Sequence, residues 1–171
     1  MHYSISYANP NRHIVDFTLQ LNDISSKTID LHLPAWRPGR YTIQNFAKNV
    51  IHLRAYREDA VELNCKKATK DQWRVQTDSE KTIVIKYSYY AFQMDAGNSW
   101  LDDEQLYLNF INCLVYAEGC LNDKCEVEVK VPKHYQFATG LKQSAQNKFA
   151  AESFYHLVDS PLVSTAQLRK V

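Results

Sequence analysis

The sequence predicts an all-β domain, and more closely an antiparallel two-sheet β-sandwich with one short helix. Three observations predict this fold. Apolar residues alternate with polar ones in several segments, turn-forming residues separate those segments, and sustained helical periodicity is scarce. The length of 171 residues suits one such domain.

Four segments show the alternation that places one face of a strand on a core and the other face in water. Their inward faces are predicted to be Val15, Phe17, Leu19 and Leu21; Ile29, Leu31 and Leu33; Trp73, Val75 and Thr77; and Cys125, Val127, Val129 and Val131. Segment 82–92 differs because it carries apolar residues on both faces. It therefore predicts a long central strand that is covered on both sides for part of its length.

The turn signals are short stretches rich in Asn, Asp, Pro and Gly, such as Asn9–Asn11 and Asn22-Asp23. One of them, Pro38-Gly39, has the residues preferred at the two central positions of a type II turn. A short helix is predicted just after this corner, from Ile43 to Lys48, with Thr42 as its N-cap.

The composition excludes several classes of partner. Lys and Arg total 20 and Asp and Glu total 19, so the net charge of +1 gives no field that would recruit nucleic acid or an anionic membrane. No apolar stretch approaches the ~20 residues that span a bilayer, and the first residues lack the pattern of a signal peptide. We therefore expect a cytoplasmic location and no membrane span.

Complete catalytic motifs are missing from the sequence. The six histidines form no H-E-x-x-H pair, there is no G-x-S-x-G elbow, and four glycines are too few for a phosphate-binding loop. We expect no catalytic residue, no metal ligand and no cofactor in this chain. The cysteines, Cys65, Cys113, Cys120 and Cys125, are interpreted as small buried hydrophobes. A disulfide in an oxidising compartment and a metal site are the alternatives.

Three weaker candidate sites have simple structural interpretations. The acidic cluster Asp102–Glu104 suits a calcium ion or an acid/base pair, but we interpret it as a solvated loop. His32 and His52 are interpreted as surface residues. A row of aromatic residues at period two can stack on sugar rings, although core and cross-strand contacts are the preferred interpretation. The row consists of Tyr87, Tyr89, Tyr90 and Phe92.

The most distinctive run is LPAWRPGRY, residues 33–41, which follows a predicted strand and precedes the short helix. Arg37 and Arg40 flank the Pro38-Gly39 turn, so their guanidinium groups can project near each other and bind a carboxylate. In the alternative, which is preferred, the run is a rigid corner whose Trp36 and Tyr41 fill the space between the sheets.

This run, continued by Ile43–Ala47, resembles the L-P-x-W-x-P-G-x-Y … F signature of the glycyl aminopeptidase family. These proteins are zinc metallopeptidases with an N-terminal β domain, a thermolysin-like catalytic domain and a PDZ domain. Further features match in the same order, over residues 2–163. They are the opening Tyr3–Pro10, the tyrosine-rich strand Tyr87–Ala91, Asn109–Asn112 with Ala117–Gly119, Val131-Pro132, Ala138–Leu141, and Leu157–Pro161, which looks like the boundary of the catalytic domain.

The resemblance implies an N-terminal β-sandwich domain at residues 1–163. Residues 164–171 would begin a linker to, or the first strand of, an absent catalytic domain. The chain would be a non-catalytic accessory domain that packs on the catalytic domain of the same polypeptide and helps form its peptide substrate cleft. Candidate contacts to that domain or to the cleft are Trp36, Arg37, Arg40 and Tyr41.

The family's zinc ligands match no position of this chain. Zinc, and aminopeptidase activity with a preference for small N-terminal residues such as Gly, would therefore belong to the absent catalytic domain. The main alternative function is a free-standing β-sandwich module that binds carbohydrate or protein. It predicts an exposed aromatic row, and burial of Tyr87, Tyr89, Trp36 and Trp100 would contradict it. A weaker alternative is an assembly domain whose edge strands pair with a partner.

Overall fold

Strands make up most of the regular structure in the computed structural model, which describes residues 1–95 and 97–169. The strands are β1 (His2–Ser6), β2 (Ile14–Leu21), β3 (Thr28–His32), β4 (Val50–Arg57), β5 (Glu62–Leu63), β6 (Cys65–Lys67), β7 (Gln72–Gln76), β8 (Ile83–Tyr90), β9 (Trp100–Leu101), β10 (Gln105–Leu108), β11 (Tyr116–Ala117), β12 (Cys125–Val129), β13 (Gln136–Thr139), β14 (Lys142–Ala145), β15 (Lys148–Ala151) and β16 (Leu162–Thr165). The all-β, sandwich-like fold predicted from the sequence is confirmed.

The strands pair into three sheets, where two were predicted. The largest has eight strands in the order β14-β15-β12-β1-β2-β8-β4-β5, and the others have the orders β13-β16-β10-β9 and β11-β3-β7-β6. Within the described residues the pairs are antiparallel except β1 with β12, which run parallel. One hydrophobic cluster lies beneath all three sheets, so the sheets share a single core.

Burial follows the predicted alternation. The predicted inward faces are buried, apart from Ile29 and Val131, which are half-buried. Segment 82–92 contains β8, which lies between β2 and β4 and is therefore central in the large sheet, as predicted. Its inner face is buried, whereas its outer face is covered only in part, with Val84 half-buried and Tyr90 exposed.

The helix after the corner begins later than predicted. It is a 3-10 helix over Phe46–Asn49, with Asn45 rather than Thr42 at the N-cap position. The amide of Gln44 donates a hydrogen bond to the carbonyl of Ala35 at 2.6 Å. This bond ties the residues before the helix to the corner loop, so helical geometry starts only where the chain turns its next side chains into the core.

Two short α-helices were not predicted. They are α1 (Phe110–Cys113) and α2 (Phe154–Val158), and both are too short to show a helical period in the sequence. In α2 the Ser153 hydroxyl accepts a hydrogen bond from the His156 amide at 3.1 Å, which is an N-cap. No helix in the described ranges is both long enough and apolar enough to cross a bilayer.

The C-terminal strand β16 lies between β10 and β13. Ser164 is fully buried there, and Thr165 pairs with Gln105 on one side and Gln136 on the other. Both residues therefore belong to a sheet of this domain and extend it past the boundary expected at residue 163. Of the segment expected as linker, Lys170 and Val171 lie outside the described residues.

All four cysteines carry free thiols, with Cys113 and Cys125 buried and the other two half-buried. Burial raises the pKa of Cys113 to about 12 and that of Cys125 to about 11. These thiols are poor nucleophiles, and the interpretation of buried hydrophobes fits Cys113 and Cys125.

Two buried tyrosine hydroxyls connect the large sheet to the last residue of α1 and to the residues that follow it. Tyr87 on β8 donates to the carbonyl of Cys113 at 2.8 Å and accepts from the amide of Val115 at 3.1 Å. Tyr3 on β1 donates to the carbonyl of Val115 at 2.9 Å. Burial is the main cause that raises the pKa of both phenols well above 10, so both stay protonated as donors.

We predict that Tyr87→Phe lowers the free energy of unfolding by about 1–3 kcal/mol, because it leaves two buried backbone groups without a partner. Urea unfolding measures the change. Tyr135→Phe is the matched control, since its hydroxyl also bonds a backbone carbonyl, that of Asp103 at 2.8 Å, but in an exposed position. Equal losses in the two variants would contradict the prediction.

Candidate docking surface

The corner at residues 36–41 is a closed turn. The Arg40 amide donates to the Arg37 carbonyl at 3.3 Å, and Gly39 has a φ of 84°. A bond between the first and fourth residues, with positive φ at the third, is the type II turn predicted from Pro38-Gly39. Glycine tolerates this φ, whereas an L side chain there would be strained.

The aromatic side chains of the corner point away from the core. Trp36 is 47% exposed, Tyr41 is 96% exposed and the neighbouring Ile43 is 77% exposed. The preferred interpretation, in which Trp36 and Tyr41 fill the space between the sheets, is therefore wrong. Leu33 before the corner and Phe46 after it are buried, so they anchor the two ends of a loop that projects into solvent.

An apolar groove of about 530 Å³ runs beside the corner. Its lining residues come from the corner, α1, β11 and α2: Pro34, Trp36, Pro38, Ile111, Tyr116, Leu121, Phe154, Tyr155, Val158 and Asp159. Tyr155 is 58% exposed and lines the same groove as Trp36, so aromatic side chains of the groove come from both the corner and α2. The groove has the volume and apolar lining of a binding cleft.

The two arginines of the corner face the turn formed around Asp95 and Gly97. A methyl group placed on Gly97 would lie 2.5 Å from Nη2 of Arg37, so the guanidinium packs directly on that glycine. The positive charge of Arg40 is one of the influences that lower the pKa of Asp95. The carboxylate whose pKa Arg40 influences belongs to this chain.

Asp95 organises this turn. Partial burial alone would raise the pKa of its carboxyl group, but hydrogen bonds from Gly97, Asn98 and Gln93 outweigh that effect and hold the pKa below its ordinary value of 3.8. The amide of Gly97 donates to Oδ1 at 2.6 Å, and the Asn98 side chain donates to both oxygens at 3.0 and 2.9 Å. The ionised carboxylate is therefore the form that stabilises the turn.

Tyr87, Tyr89, Tyr90 and Phe92 do not form the aromatic platform that was the less favoured interpretation of this row. Tyr87 and Tyr89 are buried in the core, whereas Tyr90 and Phe92 are exposed. The ring of Phe92 contacts His13 at 3.7 Å and Trp100 at 4.5 Å between centroids, in a mixed cluster rather than a row. Burial of Tyr87, Tyr89, Trp36 and Trp100 would contradict a binding module. Only the two tyrosines are buried, since Trp36 is exposed and Trp100 is half-buried.

The acidic cluster Asp102–Glu104 is a structural turn. Asp102 accepts hydrogen bonds from the Trp100 indole at 2.7 Å and from the Glu104 and Gln105 amides at 3.0 and 2.8 Å. No group of three or more His, Cys, Asp or Glu side chains converges as metal ligands would anywhere in residues 1–95 and 97–169. This part of the chain therefore shows no metal site.

The remaining histidines differ in their surroundings. His32 is half-buried, stacks on Tyr116 with centroids 5.5 Å apart, and lies 3.7 Å from the Glu118 carboxylate. His52 is exposed, with a φ of 51° at an irregularity in the pairing of β4 with β8. The surface interpretation therefore fits His52 better than His32.

The residues of α2 that line the groove could not be predicted from the sequence. Tyr155 and Val158 have the i, i+3 spacing of one helix face, but a single pair is too short a signal to predict a helix. The sequence also did not predict the polar residues beneath the Gly97 turn, where Ser99 and Asn112 are buried. Their partners are distant in the sequence, so no local pattern reveals them.

Solved structures of two larger proteins contain a similar fold. An aminopeptidase N family protein from Idiomarina loihiensis matches with a TM-score of 0.87 and 24% identity, over 96% of this chain and 29% of that one. An M1 zinc metallopeptidase from Deinococcus radiodurans matches with a TM-score of 0.51 and 12% identity, over 96% and 41%. At these identities the likeness shows the fold, and the chain spans less than half the length of either protein.

The fold is thus that of a β domain carried by larger peptidase-type proteins. The family of the Peptidase M61 N-terminal domain matches residues 2–166. The chain belongs to this family. No curated protein matches the chain.

We predict that Asp95→Asn flattens the loss of stability in acid. A carboxyl group whose pKa is lowered on folding stabilises the protein above its unfolded pKa, and that stability disappears as the pH falls through the lowered folded value. The parent should therefore lose stability as the pH falls from neutral to below the ordinary aspartate pKa of 3.8, and the variant should lose less. Urea unfolding across this range measures the slope.

Asp103→Asn, a change of charge at an exposed neighbouring position, is the control. An acid slope that is the same for Asp95→Asn as for the parent would contradict a stabilising role of the ionised carboxylate.

Proposed function

We propose that this chain is the non-catalytic N-terminal accessory domain of a zinc-dependent aminopeptidase of the glycyl aminopeptidase kind. In this proposal it packs on the catalytic domain of the same polypeptide and helps form the peptide substrate cleft. Membership of the Peptidase M61 N-terminal domain family and the sequence resemblance support it. The zinc ligands and a PDZ domain would lie in further parts of the polypeptide.

One observation carries the docking role, namely the exposure of Trp36, Tyr41 and Ile43 on a corner held by hydrogen bonds. Large apolar side chains grouped on a surface mark interaction sites, because isolated domains rarely leave such patches in water. The corner also carries Arg37 and Arg40, and Trp, Tyr and Arg are the residue types that dominate binding energies at interfaces.

The groove extends this surface. Its apolar walls continue from Trp36 to Tyr155, and Asp159 adds a carboxylate at the α2 end. An interface needs roughly 800 Å² from each partner, more than a single corner loop offers. We therefore include the groove with the corner in the proposed contact to the catalytic domain, and residues after Thr165 as the start of the connection. A cytoplasmic location also belongs to the proposal, since four free thiols suit a reducing compartment.

The catalytic part of the proposal is tested on the full-length gene product. We expect this full-length protein to contain H-E-x-x-H after residue 171 and to release N-terminal Gly from peptides. A chelator should abolish this activity and added zinc should restore it, because zinc activates the attacking water. A full-length product without that motif, or with hydrolysis that a chelator leaves unchanged, would refute the proposal.

The docking part is tested by amide hydrogen exchange. We expect the amides of residues 36–44 to exchange more slowly in the full-length protein than in the 171-residue chain, because the catalytic domain covers the corner. The double variant Trp36→Ala, Tyr41→Ala should weaken the contact by about 2 kcal/mol or more, roughly 30-fold. That loss should remove the extra protection.

Val61→Ala is the matched control for the double variant, since Val61 is exposed in the β4–β5 turn, at the other end of β4 from the corner. Equal exchange of residues 36–44 in both proteins would mean that the corner does not dock. A free-standing module predicts that result.

A further inference from the structure

Three buried polar residues lie together beneath the Gly97 turn. Ser99, Asn109 and Asn112 are at most 6% exposed, and Asn112 is completely buried. A buried amide side chain costs free energy unless its hydrogen bonds are made, and an apolar residue would fill the same space more cheaply. Their presence therefore needs a reason beyond packing.

The three residues form a connected chain of hydrogen bonds. The backbone amide of Asn109 donates to the Ser99 hydroxyl at 3.1 Å, and that hydroxyl donates to Oδ1 of Asn112 at 2.9 Å. The side-chain amide of Asn112 then donates to the carbonyl of Gly97 at 2.8 Å. Each bond fixes the direction of the next, so the network specifies one position for the Gly97 carbonyl.

Gly97 connects the buried network to the corner, because Arg37 packs on this glycine. Its amide holds the Asp95 carboxylate at 2.6 Å, its missing side chain leaves the space in which Arg37 packs, and Asp95 lies within the field of Arg40. The Gly97 turn is therefore placed between the buried network on one side and the two arginines on the other.

We propose that Ser99 and Asn112 are positioning residues that hold the Gly97 turn as a template for the corner. Arg37 packs on this template, so Trp36 and Tyr41 on either side of Arg37 are presented to the catalytic domain in one arrangement. The inference rests on the proposed docking function of the corner. It adds that the docking surface is ordered from the buried interior, before any partner binds.

Ser99→Ala and Gly97→Ala test the inference in the 171-residue chain, because they break the connection at different points. Ser99→Ala removes the hydroxyl that joins Asn109 to Asn112. Gly97→Ala leaves the network in place but drives a methyl group against Arg37. The Arg37 guanidinium must then leave its place on residue 97, so Gly97→Ala separates the corner from the turn without emptying the core.

The readout is amide exchange at Arg40 and Gln44, whose hydrogen bonds close the corner. We expect both variants to speed exchange at these amides about tenfold, while amides of β2 and β8 keep their protection. Ser164→Ala is the control, since it also removes a fully buried hydroxyl, one without a hydrogen-bond partner in the described structure. It should leave the corner unchanged.

Exchange at Arg40 and Gln44 within about twofold of the parent in Gly97→Ala would overturn the inference, whatever Ser99→Ala does to the fold. This outcome is separate from the failure of the proposed function. If the corner loosens in both variants but residues 36–44 gain no protection in the full-length protein, the positioning stands and the docking role fails.

Discussion

The attachment of residues 113–115 to the large sheet is the constraint on which the rest of the site depends. Tyr87 and Tyr3 reach across the core from neighbouring parts of that sheet and bond three backbone groups of this segment. Because both phenols are buried, the bonds are shielded from water, and leaving their partners unpaired would be costly. Cys113 is the last residue of the short helix α1, so these bonds also fix the end of that helix.

Two residues of α1 connect this helix to the docking surface. Ile111 lines the apolar groove, while Asn112 reaches the Gly97 turn and, through it, Arg37. The corner thus receives its shape from the core although its own aromatic side chains are not packed there. A surface ordered in advance loses less conformational entropy on binding, which favours association without further contacts.

The strands and their buried faces could be predicted because buried residues recur at every second position along a short stretch of sequence, as in Val15 to Leu21 and Ile83 to Tyr89. The Pro38-Gly39 turn could also be predicted from adjacent residues, because its geometry depends on the two residues at its centre. The exposure of Trp36 could not, because the direction in which the loop leaves the core depends on how Leu33 and Phe46, at its two ends, pack in the tertiary structure. The network of Ser99 and Asn112 and the parallel pairing of β1 with β12 are also products of tertiary structure.

Two stretches carry the most specific sequence resemblance, the corner at residues 33–41 and Leu157–Pro161 near the end of the domain. They are more than a hundred residues apart in the sequence, yet Trp36 and Pro38 face Val158 and Asp159 across one groove. Stretches that served only local turns would have no reason to meet. Their meeting at an apolar surface indicates that both stretches shape one site.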